Sequence, residues 1–269
     1  MGASNSEYLP ISKVPRHGLP EYALVAGDVR RVKRIAALLE DSALVSSNRE
    51  YDCYRGRWKG SEIVVASHGV GAPGAMCLFQ EMAEAGVQTI IRVGTCGGIQ
   101  DEIEDGDLII ATGVVRDDGV TDKMIPATYP AVSSPEVTMA LQVSAVEREL
   151  PWHRGITWTK SLFYPGMIPL NWQQYIDAGI LAVEMELSAL LVMASMRGLR
   201  AGGILTVDGN PTRRDDQTSY NPDRAVVEDA VGDMIQVGLD ALHLLEIQSL
   251  GDQERQPPAK FSERSFLRR

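Results

Sequence analysis

The chain of 269 residues is poor in cysteine, in positive charge and in long apolar runs. No apolar run reaches the roughly 18 residues of a membrane-spanning helix, so we expect no membrane partner. The three cysteines, Cys53, Cys77 and Cys96, form neither a CxxC pair nor a metal-ligand spacing, which favours free thiols in a cytoplasmic protein without a metal site. The net charge of −10 disfavours a nucleic-acid binder, because such a protein needs a basic face.

The chain is rich in short β-prone runs that alternate with helical patterns. Strands are predicted over residues 22–26, 62–67, 89–93, 107–115, 179–184 and 202–207. Helices are predicted over residues 29–40, 72–86, 187–198 and 223–246. This order predicts an α/β fold, a single domain with a mixed, largely parallel central sheet flanked by helices. Residues 152–175 are rich in aromatic residues and proline, and we expect an irregular segment there.

The two ends of the chain differ from its middle in composition. We assign residues 1–20 to an N-terminal arm, residues 21–248 to the α/β domain and residues 249–269 to a polar tail. The tail contains prolines and ends in basic residues. This composition is typical of a loose segment or of an arm that docks on a partner subunit.

A glycine follows the first predicted strand, in the stretch AGDVRRV. Gly27 lies where the backbone amides of a helix start are free to bind an anion, and Arg31 follows one turn later. The alternative is that Asp28 simply caps the helix and that Arg31 faces solvent.

A second glycine stretch, SHGVGAPG, matches the G-x-G-x-x-G fingerprint of dinucleotide-binding proteins at Gly69, Gly71 and Gly74. An NAD(P)-dependent dehydrogenase is therefore a competing interpretation. The fingerprint also requires an acidic residue at the end of the next strand to bind a ribose. The next predicted strand carries Arg92 instead.

Arg92 lies inside the apolar run IIRVGTCGGIQ, and we expect a glycine-rich turn after Val93. A buried guanidinium requires a partner, which is either an internal carboxylate or a bound anion. Thr95 adds a hydroxyl group and the turn adds backbone amides, so the stretch has the donors of a phosphate site. A structural ion pair is the alternative.

Two carboxylates flank a methionine in the stretch AVEMELSALL. Glu184 and Glu186 are alternate residues at the end of a predicted strand, so we expect both side chains on the same side. Two such carboxylates can accept hydrogen bonds from vicinal hydroxyl groups like those of ribose. The alternative is that Glu186 stabilises the start of the next helix and that Met185 is a core residue.

Several stretches together resemble one family. AGDVRRV, NREY, HGVGAPG, RVGTCGGIQ, FYPG and VEMELSALL, in this order and spacing, resemble the nucleoside phosphorylase I family and most of all its uridine phosphorylases, over residues 22–245. The resemblance implies a pentosyltransferase of nucleoside catabolism and salvage. It would cleave a nucleoside, uridine in the first instance, with inorganic phosphate to give ribose 1-phosphate and the free base. It implies phosphate as co-substrate, no cofactor, and a homo-oligomer built from dimers, usually a hexamer.

The resemblance also implies a role for particular residues. The phosphate ligands would be Gly27, Arg31, Arg49, Arg92 and Thr95, with Arg49 reaching into the site of the neighbouring subunit. The ribose would be bound by Glu184, Met185 and Glu186. The base pocket would contain Cys96, Gly97, Phe163 and Met167, and the catalytic residues would be Arg92, Glu186 and Asp208.

Some positions depart from the uridine phosphorylase pattern. Met167 and Pro169 stand where a glutamine and an arginine read the uracil edge, and Leu9 stands where a histidine contacts the 5′-hydroxyl group. Losing such polar readers changes base choice. Purine-specific relatives carry a catalytic aspartate one place after Asp208, so a purine-type phosphorylase that uses Asp208 is an alternative. A simple turn residue before Gly209 is another interpretation of Asp208.

Three other functions stay open at this stage. A nucleosidase of the same fold would hydrolyse the nucleoside, but it would not need Arg31, Arg49 and Arg92 together. A dehydrogenase rests on the glycine fingerprint alone and requires NAD(P) binding. A non-catalytic nucleoside sensor would not need both the phosphate and the ribose residues.

Overall fold

The computed structural model describes residues 7–164, 166–212 and 221–255, with ten strands and six α-helices in these ranges. The strands are β1 (Tyr22–Ala26), β2 (Glu40–Asn48), β3 (Tyr51–Trp58), β4 (Ser61–Ser67), β5 (Thr89–Gly98), β6 (Leu108–Asp117), β7 (Ala131–Val132), β8 (Trp152–Lys160), β9 (Ala182–Glu184) and β10 (Arg200–Gly209). The helices are α1 (Val29–Ala36), α2 (Ala72–Glu84), α3 (Pro135–Glu147), α4 (Trp172–Asp177), α5 (Leu187–Arg197) and α6 (Ala225–Arg255). In the described ranges, no helix combines the length and the apolarity that a bilayer crossing requires.

All ten strands belong to one mixed sheet. Its order is β10-β6-β8-β9-β5-β1-β4-β3-β2, with β7 beside β6, and β10 also pairs with β5. This additional pairing closes β5, β10, β6, β8 and β9 into a ring. β5 is parallel to both β1 and β10, whereas β2, β3 and β4 form an antiparallel edge. The predicted α/β fold with a mixed central sheet flanked by helices is confirmed.

Helices cover both faces of the sheet and bury two apolar cores. Ala23 and Val25 of β1 belong to the core under α2 and α5, whereas Leu24 and Ala26 belong to the core under α1, α3 and α6. This alternation explains why the central strands are apolar at every position. The apolar repeat predicted for the last helix is buried in the second core, at Val227, Val231, Met234, Ile235, Leu239 and Leu242. Such burial contributes roughly 25 cal/mol per Å² of apolar surface, which makes it the main stabilising term of the fold.

The strand that carries Arg92 is longer than the sequence predicts. The turn expected after Val93 is wrong, because β5 continues through the glycine-rich stretch to Gly98. The continuation pairs in parallel with β10 along residues 93–97. Glycine suits this stretch because neighbouring side chains approach it closely, and a Cβ added at Gly97 would lie 2.6 Å from Pro211.

The segment of residues 152–175 is irregular only in its middle, at the described residues between β8 and α4, so that prediction is wrong for its two ends. It begins with β8, which is parallel to both β6 and β9, and it ends within α4. Some of the aromatic residues that suggested a loop are packed, namely Trp158, Trp172 and Tyr175, whereas Phe163 and Tyr164 are exposed. Trp158 is fully buried, and its ring stacks on Tyr175 with 4.1 Å between centroids.

β2, β3 and α3 have no counterpart among the predicted elements, whereas β4 matches the strand predicted over residues 62–67. β2 and β3 form a hairpin whose turn consists of Arg49 and Glu50, and Arg49 has a positive φ of 56°. β2 is mostly exposed, so no apolar alternation marks it in the sequence. The strand predicted over residues 179–184 is shorter, because Gly179 has a φ of 73° and closes α4 before β9 begins.

Both ends of the described chain are packed or helical. Leu9 and Val14 are buried, and Glu81 of α2 accepts hydrogen bonds from the backbone amides of Ile11 and Ser12 at 2.8 and 2.6 Å. α6 continues past the proposed start of the tail, to Arg255. The boundaries after residues 20 and 248 stay predictions, and residues 1–6 and 256–269 of the arm and the tail lie outside the described residues.

Candidate active site

A cleft of about 1020 Å³ opens where β1, β5, β8, β9 and β10 end. Strand ends and the segments that follow them supply its lining, which consists of Gly27, Asp28, Val29, Arg31, Gly69, Val70, Arg92, Thr95, Cys96, Gly97, Lys160, Phe163, Leu170, Trp172, Val183, Glu184, Met185, Glu186, Asp208 and Pro211. Every residue predicted for the site lies in this lining except Arg49 and Met167.

The start of α1 forms one side of the cleft. Asp28 caps this helix, because its side chain accepts a hydrogen bond from the backbone amide of Arg30 at 2.8 Å. Gly27 is needed for a close approach to the loop before α2, since a Cβ added there would lie 3.1 Å from the carbonyl oxygen of Gly69. The cap leaves the backbone amides of the helix start facing the cleft lining.

Arg31 also faces the cleft, so the capping role of Asp28 and the cleft position of Arg31 hold together. Its Nη1 donates to the carbonyl oxygen of Val93 at 3.4 Å. Burial, and after it the positive charge of Arg92, lowers the pKa of Arg31. The two guanidinium groups therefore repel each other across this end of the cleft, and an anion between them would relieve the repulsion.

Arg92 is buried and is bound to carboxylates on one side only. Its Nη2 donates to Glu186 and lies 3.4 Å from an oxygen of Glu184. Burial opposes the guanidinium charge, but the two carboxylates outweigh burial and raise the pKa of Arg92. Its Nε and Nη1 are buried and have no hydrogen-bond partner in the described part of the chain. The structural ion pair is therefore present, and it leaves two donors for an anion.

Gly94 is a glycine because the side chain of Arg92 folds back over it. A Cβ added at Gly94 would lie 1.9 Å from Nη1 of Arg92 and 2.7 Å from its Cζ. Any other residue would displace the guanidinium. The glycine two residues after Arg92 in the sequence thus makes room for the charged group rather than forming a turn.

Glu186 lies at the N-cap of α5. Its oxygens accept hydrogen bonds from Arg92 and from the backbone amide of Gly71, the latter at 2.5 Å. Burial opposes ionisation, but Arg92, His68 and the Gly71 amide together lower the pKa of Glu186, so the group is a carboxylate at neutral pH. A carboxylate has about four acceptor sites, so two remain for hydroxyl groups. In the stretch that matches the glycine fingerprint, the backbone amide of Gly71 therefore binds a side chain of the protein itself, the carboxylate of Glu186.

Glu184 is the last residue of β9, and its acceptor sites are already in use. One oxygen accepts hydrogen bonds from the backbone amides of Glu186 and Leu187, both at 2.8 Å, and the other accepts from the hydroxyl group of Thr159. Burial and Glu186, opposed by Arg92, raise the pKa of Glu184. The prediction that both carboxylates project from one strand is wrong, because the strand ends between them. They meet at Arg92 from a strand end and a helix start.

His68 is fully buried beside this cluster. Its Nδ1 lies 2.8 Å from the carbonyl oxygen of Gly69, and its ring packs edge-on against Phe79 with 5.3 Å between centroids. Burial and the charge of Arg92 lower the pKa of His68 to about 4. His68 is therefore neutral at neutral pH, and Nδ1 carries the proton because a carbonyl oxygen only accepts.

The opposite end of the cleft is aromatic. Phe163, Leu170 and Trp172 line it, and they come from the connection between β8 and α4 and from α4 itself. Met167 belongs to the same connection, but its side chain is fully exposed and lies outside the lining. Pro165 of the FYPG stretch lies outside the described residues.

Asp208 and Lys160 place groups of opposite charge type in the lining. Asp208 is buried within β10, so the interpretation of Asp208 as a simple turn residue is wrong. Its carbonyl oxygen accepts a hydrogen bond from Arg224 at 3.0 Å. Lys160 is the last residue of β8 and is not among the predicted site residues. The sequence signal for Lys160 is its position as a charged residue at the end of the β-prone run WHRGITWTK. The aromatic residues of that run led instead to the prediction of an irregular segment.

Arg49 does not reach the cleft of its own subunit. It is exposed on the hairpin turn between β2 and β3. Its neighbour Glu50 lies against the glycine loop, with its Cγ 2.9 Å from a Cβ added at Gly69. Within the described ranges, no three histidine, cysteine, aspartate or glutamate side chains come together as metal ligands.

Known proteins share both the sequence and the fold. The family model described as the phosphorylase superfamily matches residues 21–243. The chain is 37% identical over 194 residues to a guanosine phosphorylase of Halorubrum lacusprofundi, which covers 71% of this chain and 78% of that protein. It is 37% identical over 206 residues to a uridine phosphorylase of Haemophilus influenzae, which covers 72% and 82%. The crystal structure of purine nucleoside phosphorylase from Toxoplasma gondii in complex with immucillin-H has a TM-score of 0.87 at 29% identity, with 91% of this chain and 99% of that chain covered.

The contact between Gly94 and Arg92 gives a test of the anion site. In Gly94→Ala the new Cβ displaces the guanidinium, so we expect inorganic phosphate to bind about 10- to 100-fold more weakly in isothermal titration calorimetry, the loss of one or two charge-assisted hydrogen bonds. The matched control is Gly113→Ala, a strand glycine of β6 outside the lining. Unchanged phosphate affinity in a folded Gly94→Ala protein would show that Arg92 does not bind the anion.

Proposed function

We infer that this chain, which belongs to the phosphorylase superfamily, is a nucleoside phosphorylase. Members of the family cleave the bond between the sugar and the base of a nucleoside with inorganic phosphate, and ribose 1-phosphate and the free base are the products. Phosphate is thus a co-substrate. One observation carries this function to the site: a single cleft presents Arg31 and Arg92 to an anion and the ionised Glu186 to hydroxyl groups.

We assign the phosphate to the end of the cleft formed by Gly27, Arg31, Arg92 and Thr95. Nε and Nη1 of Arg92 support this assignment, because they are buried donors without a partner in the described part of the chain. The repulsion between the two guanidinium groups and the amides of the α1 start support it as well. Guanidinium groups suit phosphate because they donate two parallel hydrogen bonds.

We assign the 2′- and 3′-hydroxyl groups of the ribose to Glu186, beside Met185. The free acceptor sites of the Glu186 carboxylate support this role. Glu184 is better suited to positioning, since its oxygens hold the start of α5 and Thr159. It would act on the ribose through Glu186 rather than by contact.

The arrangement favours attack of phosphate on C1′ from one face while the base leaves from the other. The electron pair of the C1′–N bond passes to the base, and the sugar passes through an oxocarbenium-like state. Arg92 would link the two substrates, because its Nη2 is held by Glu186 whereas its buried Nε and Nη1 have no partner in the described part of the chain and can donate to phosphate. This link fixes the distance between the ribose hydroxyl groups and the nucleophile, so positioning and electrostatics carry the catalysis.

We propose that Arg49 of a second subunit completes the site, in a homo-oligomer built from dimers such as a hexamer. The exposure of Arg49 on a two-residue hairpin turn, away from the cleft of its own subunit, supports this proposal. We also propose a cytoplasmic location, which is supported by the free thiols Cys53, Cys77 and Cys96.

The base is the open part of the function. The sequence resemblance favours uridine, but Met167 and Pro169 replace the residues that read uracil in uridine phosphorylases. A purine nucleoside is the second candidate, and the specific observation in its favour is the burial of Asp208 in the cleft lining. A carboxyl group there can protonate a purine ring as it leaves.

We expect release of the free base to require phosphate. The purified protein is incubated with uridine, thymidine, cytidine, inosine, adenosine and guanosine, with and without phosphate, and base release is followed by chromatography. Phosphate dependence is expected because Arg31 and Arg92 line the end of the cleft that we assign to the phosphate. Equal release without phosphate would identify a nucleosidase, and no release from any nucleoside would favour a sensor. Binding of NAD(P), measured by calorimetry, would support the interpretation as a dehydrogenase.

Asp208→Asn separates the two base classes. If Asp208 protonates a purine, we expect kcat/KM for inosine or guanosine to fall by about 10²- to 10⁴-fold, the usual contribution of a general acid. The value for uridine should change little, because that ring has no proton acceptor at the corresponding position. The control is Asp122→Asn, which changes an exposed carboxylate outside the lining. Equal losses for purine and pyrimidine nucleosides would assign Asp208 to the structure instead.

Two inactive variants test whether Arg49 acts in the neighbouring subunit. Arg49→Ala and Glu186→Gln are each expected to lose at least ~100-fold in activity, because each removes a charge-assisted contact to a substrate. Co-expression of the two chains should restore activity, since a mixed dimer contains one site with both intact residues. Restored phosphorolysis in the purified mixed oligomer supports action in trans. An inactive mixed oligomer, or an active Arg49→Ala protein, would contradict it.

A further inference from the structure

Lys160 is a buried cation to which the structure gives no carboxylate partner in its described part. The residue is 8% exposed, at the end of β8. Its Nζ lies 3.4 Å from the carbonyl oxygen of Phe163 and 5.2 Å from the centre of the Trp172 ring. Burial lowers the pKa of Lys160. A desolvated ammonium with one long hydrogen bond is costly, and a polar ligand would offset that cost.

Lys160 lies at the aromatic end of the cleft, together with Phe163, which the resemblance assigns to the base pocket. β8 and β9 pair Thr159 with Glu184, so Lys160 follows at the level of Met185, next to the ribose-binding stretch. Its two contacts, Phe163 and Trp172, line the aromatic end of the cleft. In the sheet, β9 and β5 lie between β8 and β1. The end of the cleft that we assign to phosphate includes Gly27, which follows β1 in the chain.

We propose that Lys160 binds the carbonyl oxygen at C4 of a pyrimidine or C6 of a purine, and thereby selects oxo bases, which carry an oxygen at that position, over amino bases, which carry an amino group there. The oxo bases are uracil and the 6-oxopurines, and the amino bases are cytosine and adenine. The proposal rests on the proposed function, because it assumes that the aromatic end holds a base. An ammonium group has three donors and no acceptor, so it pairs with a carbonyl oxygen and rejects an amino group, which is also a donor.

The same contact stabilises the leaving group. When the C1′–N bond breaks, its electron pair passes to the base, and the negative charge spreads from the ring nitrogen to the carbonyl oxygen. Lys160 remains protonated and donates a hydrogen bond to that oxygen, so no proton transfer from Lys160 is needed. A fixed cation in a site shielded from water favours such a charge more in the transition state than in the bound nucleoside.

Lys160→Met tests the proposal, because it keeps the length of the side chain and removes the charge. Matched substrates differ in one group: inosine against purine riboside, which lacks the 6-oxygen, and uridine against cytidine. We expect the wild type to prefer the oxo member of the pair that it accepts. Lys160→Met should lower kcat/KM for that member by about 10²- to 10³-fold, as for loss of one transition-state donor, and should change its comparator little. The two pairs also show whether a purine or a pyrimidine supplies the oxygen.

Two controls separate specificity from structure. Lys123→Met removes an exposed lysine outside the lining and should leave every ratio unchanged. Lys160→Met should keep or raise the melting temperature, because it removes a buried charge without a carboxylate partner in the described structure. A lower melting temperature with equal losses on all nucleosides would make Lys160 a structural residue. A wild type that prefers adenosine or cytidine would also overturn the proposal.

Binding of free bases tests Lys160 independently of turnover. In calorimetry, we expect uracil or hypoxanthine to bind the wild type more tightly than cytosine or adenine, and Lys160→Met to lose this difference. If no nucleoside is cleaved but the Lys160-dependent preference is present, the proposed function fails and the role of Lys160 stands. If nucleosides are cleaved with phosphate but neither preference depends on Lys160, the function stands and this inference fails.

Discussion

The buried ion pair between Arg92 and Glu186 is the interaction on which the rest of the site depends. It joins the middle of the sheet to the start of α5, and the Gly71 amide extends the connection to the loop before α2. A buried ion pair adds little net stability, because desolvation of both charges opposes their attraction. Its value here is that each member is held ionised with part of its hydrogen-bonding capacity unused. Two features keep that pair in place. Gly94 leaves room for the guanidinium of Arg92, and Glu184 accepts a hydrogen bond from the backbone amide of Glu186.

Much of the architecture was predictable from the sequence because the central strands are apolar on both faces and the helices carry continuous apolar stripes. The first strand and the capped start of α1 follow the prediction. The edge hairpin escaped prediction because β2 is exposed and polar. β8 escaped because Trp158 and its neighbours resemble a loop in composition, although they pack under α4. Sequence patterns report burial, and these elements owe their conformation to partners distant in the chain.

The residues that line the cleft could be predicted from the sequence to a similar extent. Charged residues close to glycines were predicted for the site, and they line the cleft, because the local sequence carries both the charged group and the space for it, as at Arg92 and Gly94. Lys160 was not found, because its burial depends on pairings of a strand that the sequence obscured. Met167 was transferred by resemblance, but the connection that carries it turns the side chain to solvent. Arg49 lies outside the cleft lining of this chain, and the role proposed for it requires a second subunit, which one chain's sequence pattern does not encode.

The ring of strands divides the cleft into a rigid part and a replaceable part. At Arg92 the backbone of β5 is paired on both sides, with Val25 of β1 and with Gly203 of β10. The aromatic end is built largely from the connection between β8 and α4, which contributes no strand to the ring. Substitutions in that connection can reshape the aromatic end while the end around Arg92 keeps its geometry. The fold can therefore change which chemical group it recognises at one end of the cleft while the paired strands at the other end stay the same.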